Sequence, residues 1–143
     1  MTTIAYKDGI LACDSRLTLK SMVCTDRCKK IWRLKDGSLF GARGDNEAGL
    51  LLLDGLQKNK KPRIPQDAFF EAIKVTLKGE IYFYVGWELW DRWPEDFVAI
   101  GSGGKYAKAA MLNGADAVAA VKTGIAMDVY SGGEVQTLKL RAD

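Results

Sequence analysis

Histidine is absent from the sequence. That absence removes Ser-His-Asp, Cys-His and His-metal chemistry together, so a hydrolase built on this chain needs another base. Cysteine is scarce and odd in number, with Cys13, Cys24 and Cys28. An odd count argues against a closed disulfide framework, and a four-ligand zinc site would need carboxylates to complete it. Buried reduced thiols are the better reading, and the sequence names no metal site. No apolar run approaches the ~20 residues of a membrane-spanning helix. The opening, Met1-Thr2-Thr3-Ile4-Ala5-Tyr6-Lys7-Asp8-Gly9, lacks a basic n-region and a long apolar core, so no signal peptide is expected and the cytoplasm is the expected location. Charge of one sign is also lacking: the net value is +3, too small to imply nucleic acid. The densest basic stretch, Lys58-Asn59-Lys60-Lys61-Pro62-Arg63, reads as a solvated linker after a helix.

What is present is an ordinary globular composition, 48% hydrophobic and 27% charged over 143 residues. One domain spanning residues 1–143 is expected, with a single sizeable core. Thr2, Ile4 and Tyr6 alternate with Thr3 and Ala5 as a strand, and Lys7-Asp8-Gly9 turns the chain into a second strand over 10–14. A second Lys-Asp-Gly, at Lys35-Asp36-Gly37, joins strands at 29–34 and 38–42. Asp45-Asn46-Glu47 reads as a helix start, and Leu50, Leu51, Leu52, Leu53 and Leu56 cover more than one face of that helix, which predicts a sandwiched position. Residues 70–77 fit helix or strand, whereas 81–85 and 97–100 read as strands. Helical spacing resumes at Tyr106, Ala107, Ala110 and Met111. After Asn113-Gly114 a further helix carries Ala117, Ala120, Val121, Gly124, Ile125 and Asp128 on one face, and residues 134–140 close the chain as a strand. Clustered hairpins without strand–helix alternation predict an α+β fold.

Taken singly, the polar features are ambiguous. Gly101-Ser102-Gly103-Gly104-Lys105 fails the phosphate-loop pattern at Ala99 and Tyr106 and reads as a tight strand-to-helix turn. Asp128 on an apolar stripe must be paired or protonated if buried, and a structural ion pair explains it as well as a functional role does. Lys30 in a strand ordinarily reaches water, and Asp14 at a strand end is ordinarily a turn former.

Together these positions resemble one family, the proteasome β-subunit and HslV type of N-terminal-nucleophile hydrolase. Thr2-Thr3-Ile4 after the initiator Met matches the HslV start, and Asp14 follows in the return strand of the first hairpin. Lys30 sits in Cys28-Lys29-Lys30-Ile31-Trp32-Arg33-Leu34, similar to the family's Arg/Lys-Lys-Val-x-x-Leu run. Gly44 stands where the family's oxyanion glycine begins its first helix. Ala99-Ile100-Gly101-Ser102-Gly103-Gly104 with Tyr106-Ala107 resembles an HslV string, and Asp128-Val129-Tyr130-Ser131-Gly132-Gly133 resembles the proteasomal Asp-x-x-Ser-Gly-Gly. Two departures stand out. Residues 57–97 are short for the family's second long helix, and Arg43-Gly44 replaces the usual small-residue pair.

The resemblance implies a four-layer αββα sandwich, somewhat shortened, and a threonine peptidase. Thr2, freed of Met1, would carry a hydroxyl nucleophile and an α-amine base on one residue. Lys30, held by Asp14, would lower the basicity that traps the amine as ammonium. Ser131 and Asp128 would orient the amine, with Ser102 on the adjacent loop, and the Gly44 amide would stabilise the oxyanion. Leu17, Cys28, Trp32, Ala42 and Asn46 would line the pocket for the residue preceding the cut bond, although core packing explains Trp32 and Leu17 equally well. Hydrolysis would need no cofactor; a structural monovalent cation is compatible with the family, and ATP would be used only by a partner AAA+ unfoldase. The chain would assemble with itself into stacked rings and receive unfolded polypeptide, with no role for nucleic acid or membrane. Two other readings stay open: a catalytically silent ring subunit, and an amidohydrolase of a small molecule. Trp87, Trp90 and Trp93 lie near Tyr82, Phe83 and Tyr84; at least one indole is expected at a subunit interface, with capping of the hairpin core as the alternative.

Overall fold

The computed structural model describes residues 2–85 and 88–140, with the side chains of 46 and 88–91 excepted. Fourteen elements follow one another: strands β1 (Ile4–Lys7), β2 (Ile10–Cys13), β3 (Leu17–Leu19), β4 (Met22–Thr25), β5 (Ile31–Arg33) and β6 (Leu39–Gly44); helix α1 (Asn46–Lys58); strands β7 (Phe70–Val75), β8 (Ile81–Val85), β9 (Glu88–Arg92) and β10 (Phe97–Ile100); helices α2 (Gly104–Leu112) and α3 (Ala117–Met127); and strand β11 (Gln136–Lys139).

The first hairpin is tight because Asp8 and Gly9 both take positive φ, 50° and 82°, the two-residue turn whose twist matches its strands. Asp36 turns the second hairpin differently: its carboxylate accepts the Ser38 amide at 2.9 Å, and Gly37 sits at φ 89°. Two antiparallel sheets result, one ordered β10-β1-β2-β11 and the other β5-β6-β7-β8-β9, with β3 and β4 forming a separate ribbon.

Three buried clusters identify the layers. Ile4, Tyr6, Leu11 and Cys13 of the first sheet meet Ile31, Leu39, Ile73, Val75 and Ile81 of the second. Ala5 and Ala12 turn the other way, onto Ala107 and Met111 of α2 and Ala117, Ala120 and Val121 of α3. Phe40, Phe70, Ala72 and Tyr84 face Ala48 and Leu52 of α1. Residues 4, 5 and 6 thus alternate between two cores, as a period of two requires. The result is the expected αββα sandwich.

The differences from expectation have local causes. Residues 70–75 are strand, because Ala72, Ile73 and Val75 must fill both faces of a central strand paired to β6 and β8. Helix α1 is not sandwiched: Leu52 is buried while Leu50 is 47% exposed, so one face alone meets the sheet. Among the described residues of 59–103 there is no helix, which leaves α1 as the one described helix on its side. The ribbon β3–β4 was not foreseen; Leu19 and Met22 are exposed, so its alternation carries no inside–outside pattern. Trp93 turns inward, packing on Phe83 at 5.2 Å between ring centroids and donating its indole N–H to the Phe97 carbonyl at 3.0 Å. Trp87 lies outside the described residues, as does the side chain of Trp90. Cys13 is a core thiol whose pKa burial pushes up to about 12, with the Asp14 carboxylate adding to the rise. No described helix is long and apolar enough to cross a membrane.

Ile73 has no solvent exposure at the centre of the sheet–sheet core. Ile73→Ala is expected to cost about 2–5 kcal/mol, measured as a lower urea midpoint at unchanged slope.

Candidate active site

Strand ends deliver the polar residues. Asp14 follows the last residue of β2, Lys30 precedes the first of β5, and Gly44 is the last of β6. Thr2 enters β1 from the same end, so antiparallel pairing gathers these positions at one edge of the sandwich.

Asp14 has no solvent exposure, and four donors surround its carboxylate. Oδ1 accepts the Lys30 ammonium at 2.8 Å and the Thr3 amide at 3.0 Å. Oδ2 accepts the amides of Gly132 at 3.0 Å and Arg16 at 3.3 Å. Lys30 is anchored a second time, donating to the Arg16 carbonyl at 2.6 Å. A buried ion pair persists only when its remaining lone pairs and protons are also satisfied, and here the backbone supplies those partners.

A second carboxylate organises the opposite side. Asp128, expected on the apolar stripe of the last helix, instead caps the C-terminus of α3 with extended backbone, its amide bonded to the Gly124 carbonyl at 2.8 Å. That change of backbone direction takes its side chain off the stripe. Oδ2 accepts the hydroxyls of Ser102 at 2.5 Å and Ser131 at 2.7 Å, while Oδ1 accepts the Tyr130 amide at 3.2 Å. Burial pushes the Asp128 carboxyl up, but the bonds from Ser102, Ser131 and Tyr130 outweigh it and hold the group below its ordinary value.

Two hydroxyl relays therefore end on one oxygen. The Ser102 proton goes to Asp128, so its oxygen is the acceptor for the Thr2 nitrogen at 3.2 Å. By the same logic, Ser131 donates to Asp128 and receives the Thr3 hydroxyl at 2.7 Å. Ser102 thus contacts the Thr2 nitrogen directly, with Asp128 behind it, while Ser131 serves Thr3. The turn holding Ser102 is itself close-fitting: Gly101 sits at φ 96°, and a Cβ there would run into the Thr2 carbonyl oxygen.

Thr2, Lys30 and Gly44 line a single cleft of about 70 Å³. Leu17, Cys28, Trp32 and Ala42 form more of its wall, with Gly49 and Leu50 of α1 and the charged Lys29, Arg43 and Asp45 at its sides. Of the expected pocket residues, only the side chain of Asn46 lies outside the described set. Three contributors were missed in the sequence, the first being the Arg16 backbone, which bonds both Asp14 and Lys30. Thr3, fully buried, joins the two carboxylates through its amide and its hydroxyl, and the Gly132 amide binds Asp14. A second threonine where alternation calls for an apolar residue was the available signal for Thr3; the Gly132 contact spans 118 residues and had none. Among the described residues no group of three or more His, Cys, Asp or Glu side chains could hold a metal ion.

No protein-family model matches the chain, and no curated protein matches it. Solved structures do. HslV from Trypanosoma brucei superposes with a TM-score of 0.75 at 21% identity, over 96% of this chain and 98% of that one. BPH from Thiobacillus denitrificans in complex with epoxomicin gives 0.69 at 19%, over 99% of each chain. A further structure of the same BPH gives 0.64 at 21%, again over 99% of each. The chain has the fold of HslV and BPH. Identity near 20% carries the fold and no more.

Asp14→Asn leaves the buried Lys30 ammonium without its counter-charge. A loss of about 3–5 kcal/mol in unfolding free energy is expected by urea titration at neutral pH.

Proposed function

We propose that this chain is a threonine-type endopeptidase, the subunit of a homo-oligomeric ring that hydrolyses peptide bonds of unfolded protein delivered by an AAA+ ATPase unfoldase. The observation that carries the reading is the presence of Thr2, Lys30 and Gly44 on one cleft, with the Thr2 nitrogen tied through Ser102 to Asp128.

Removal of whatever precedes Thr2 converts its amide into an α-amine. The N–H that Ser102 accepts then fixes the amine's rotation and leaves a lone pair for the Thr2 hydroxyl. The two cationic and anionic neighbours pull on that amine in opposite senses. Lys30 disfavours the ammonium and keeps the amine a base near pH 7, while the anionic Asp128 network favours it once formed.

In the first step Thr2 Oγ attacks the scissile carbonyl carbon and its proton passes to the amine. The carbonyl oxygen becomes an oxyanion facing the Gly44 amide. Collapse expels the leaving amine, which takes the proton from the ammonium, and leaves an acyl ester on Thr2. Water then attacks the ester with the amine again as base, releasing the carboxylic acid and restoring the hydroxyl. No cofactor enters either half, and ATP belongs to the unfoldase. The apolar wall of Leu17, Cys28, Trp32 and Ala42 favours an apolar side chain before the cut bond. Such an enzyme would work in the cytoplasm.

Three measurements test this reading. Intact mass of the purified protein should lack Met1 and should gain one peptide epoxyketone per chain, with the adduct mapped to Thr2. Lys30→Ala should abolish both labelling and peptide hydrolysis while leaving assembly unchanged; full turnover in that variant sinks the proton relay. Asp128→Asn should shift the acid limb of the pH–rate profile to lower pH. The anion favours the ammonium form, so its removal lowers the pKa of the amine whose deprotonation that limb reports. A limb moving the other way assigns the base to another group.

A further inference from the structure

Arg43 is the residue at which the sequence leaves the family pattern, and the reaction just described gives it no part. In the β6–β7 ladder Arg43 stands directly opposite Glu71, and Gly44 opposite Phe70. Arg43 donates from Nε at 2.6 Å and from Nη2 at 2.5 Å to the same Glu71 oxygen, Oε1. The two side chains are only 16% and 22% exposed, so the pair is held largely away from water. The ring of Phe69, itself 59% exposed, covers the guanidinium with its centroid 5.0 Å from Cζ.

The next residue has little room. Gly44 takes φ 98°, and a Cβ there would lie 2.6 Å from the Phe69 carbonyl oxygen and 2.8 Å from the Phe70 Cα. Asp45 follows, donating its amide to that Phe69 oxygen at 2.7 Å and accepting the Ala48 amide on its side chain at 2.9 Å to cap α1. Gly44 thus sits between two ties to the segment 69–71: an ion pair to Glu71 on one side and a backbone bond to Phe69 on the other. Strand ends otherwise fray, and Gly44 is a strand end.

We propose that Arg43 and Glu71 are positioning residues that brace the Gly44 amide toward the Thr2 cleft, a role that rests on the peptidase reading above. Arg43 also lines the cleft that holds Thr2 and Gly44, but the brace acts through Gly44 on the oxyanion, so its readout is kcat. An amide that wanders by a fraction of an ångström loses its hydrogen bond to the tetrahedral intermediate while the ground-state peptide is held as before.

The test uses the assembled wild-type protein with Arg43→Ala, Arg43→Lys, Glu71→Gln and the Arg43→Ala/Glu71→Gln double variant. Loss of the brace is expected to lower kcat about 10-fold with KM within about twofold, less than the 10²–10³ typical of deleting an oxyanion donor outright. Affinity for a peptide boronate, which forms a tetrahedral adduct on the nucleophile, should fall in parallel with kcat/KM. The double variant should lose no more than either single one, and Arg43→Lys should recover part of the rate. If Arg43→Ala does not fold, Glu71→Gln, which keeps the side-chain volume, decides the outcome. Unchanged kcat, a loss confined to KM, or losses that multiply in the double variant each overturn the brace. An active wild type with an unaffected Glu71→Gln overturns the brace alone; a wild type whose Thr2 neither reacts nor turns over overturns the peptidase reading and the brace with it.

Discussion

A carboxylate with no solvent exposure constrains everything bonded to it, and Asp14 is bonded to its own turn and to three separate stretches of chain. Thr3 lies at the start of β1, Arg16 just past Asp14 itself, Lys30 at the entry to β5, and Gly132 beyond α3. Each must arrive within about 3 Å for the charge to be tolerated away from water. The two sheets are thereby fixed relative to each other at this edge, because Lys30 belongs to one and Asp14 to the other. Apolar packing between the sheets supplies the bulk of the stabilisation, but it is non-directional and would accept small slips. The buried charge would not.

Asp128 plays the complementary part at lower burial. It receives hydroxyls from a loop between β10 and α2 and from the turn after α3, and through them it reaches Thr2 and Thr3. The neighbouring residues that lead into β1 are therefore addressed at their nitrogens by two different anions: the Thr3 amide by Asp14 and the Thr2 nitrogen by Asp128 through Ser102. The pleat makes this division possible, since successive residues face opposite sides. A chain without histidine thus gathers Thr2, the Lys30 cation and the Gly44 strand end on one cleft, with the Asp128 anion behind Ser102.

The same edge explains why the helical layers are unequal. Helices α2 and α3 cover the first sheet with small residues, Ala107, Ala117 and Ala120, which lets them approach the strands closely. Among the described residues the second sheet is covered by α1 and by the loop carrying Ile64 and Ala68. The strand ends at 30 and 44 line one cleft with the first turns of α1, whose cap Asp45 is bonded back to Phe69.

Much of this was determined by the sequence alone. The two Lys-Asp-Gly turns, the alternation over residues 2–6 and the helical face of Ala117, Ala120, Val121 and Gly124 follow from local stereochemistry, which neighbours in sequence decide. The strand-to-helix turn at Gly101 was legible for the same reason. Tertiary structure alone decided that residues 70–75 became strand, since an apolar run fits either period until strands flank it on both sides. It alone moved Asp128 off its helical stripe to a capping position, turned Trp93 inward, and paired Arg43 with a glutamate 28 residues away. It also enlisted Thr3 and the Gly132 amide around Asp14. Periodicity reports which face of an element is apolar; it carries no information about which distant donor will meet a buried carboxylate, because that is fixed only when the sheets close on each other.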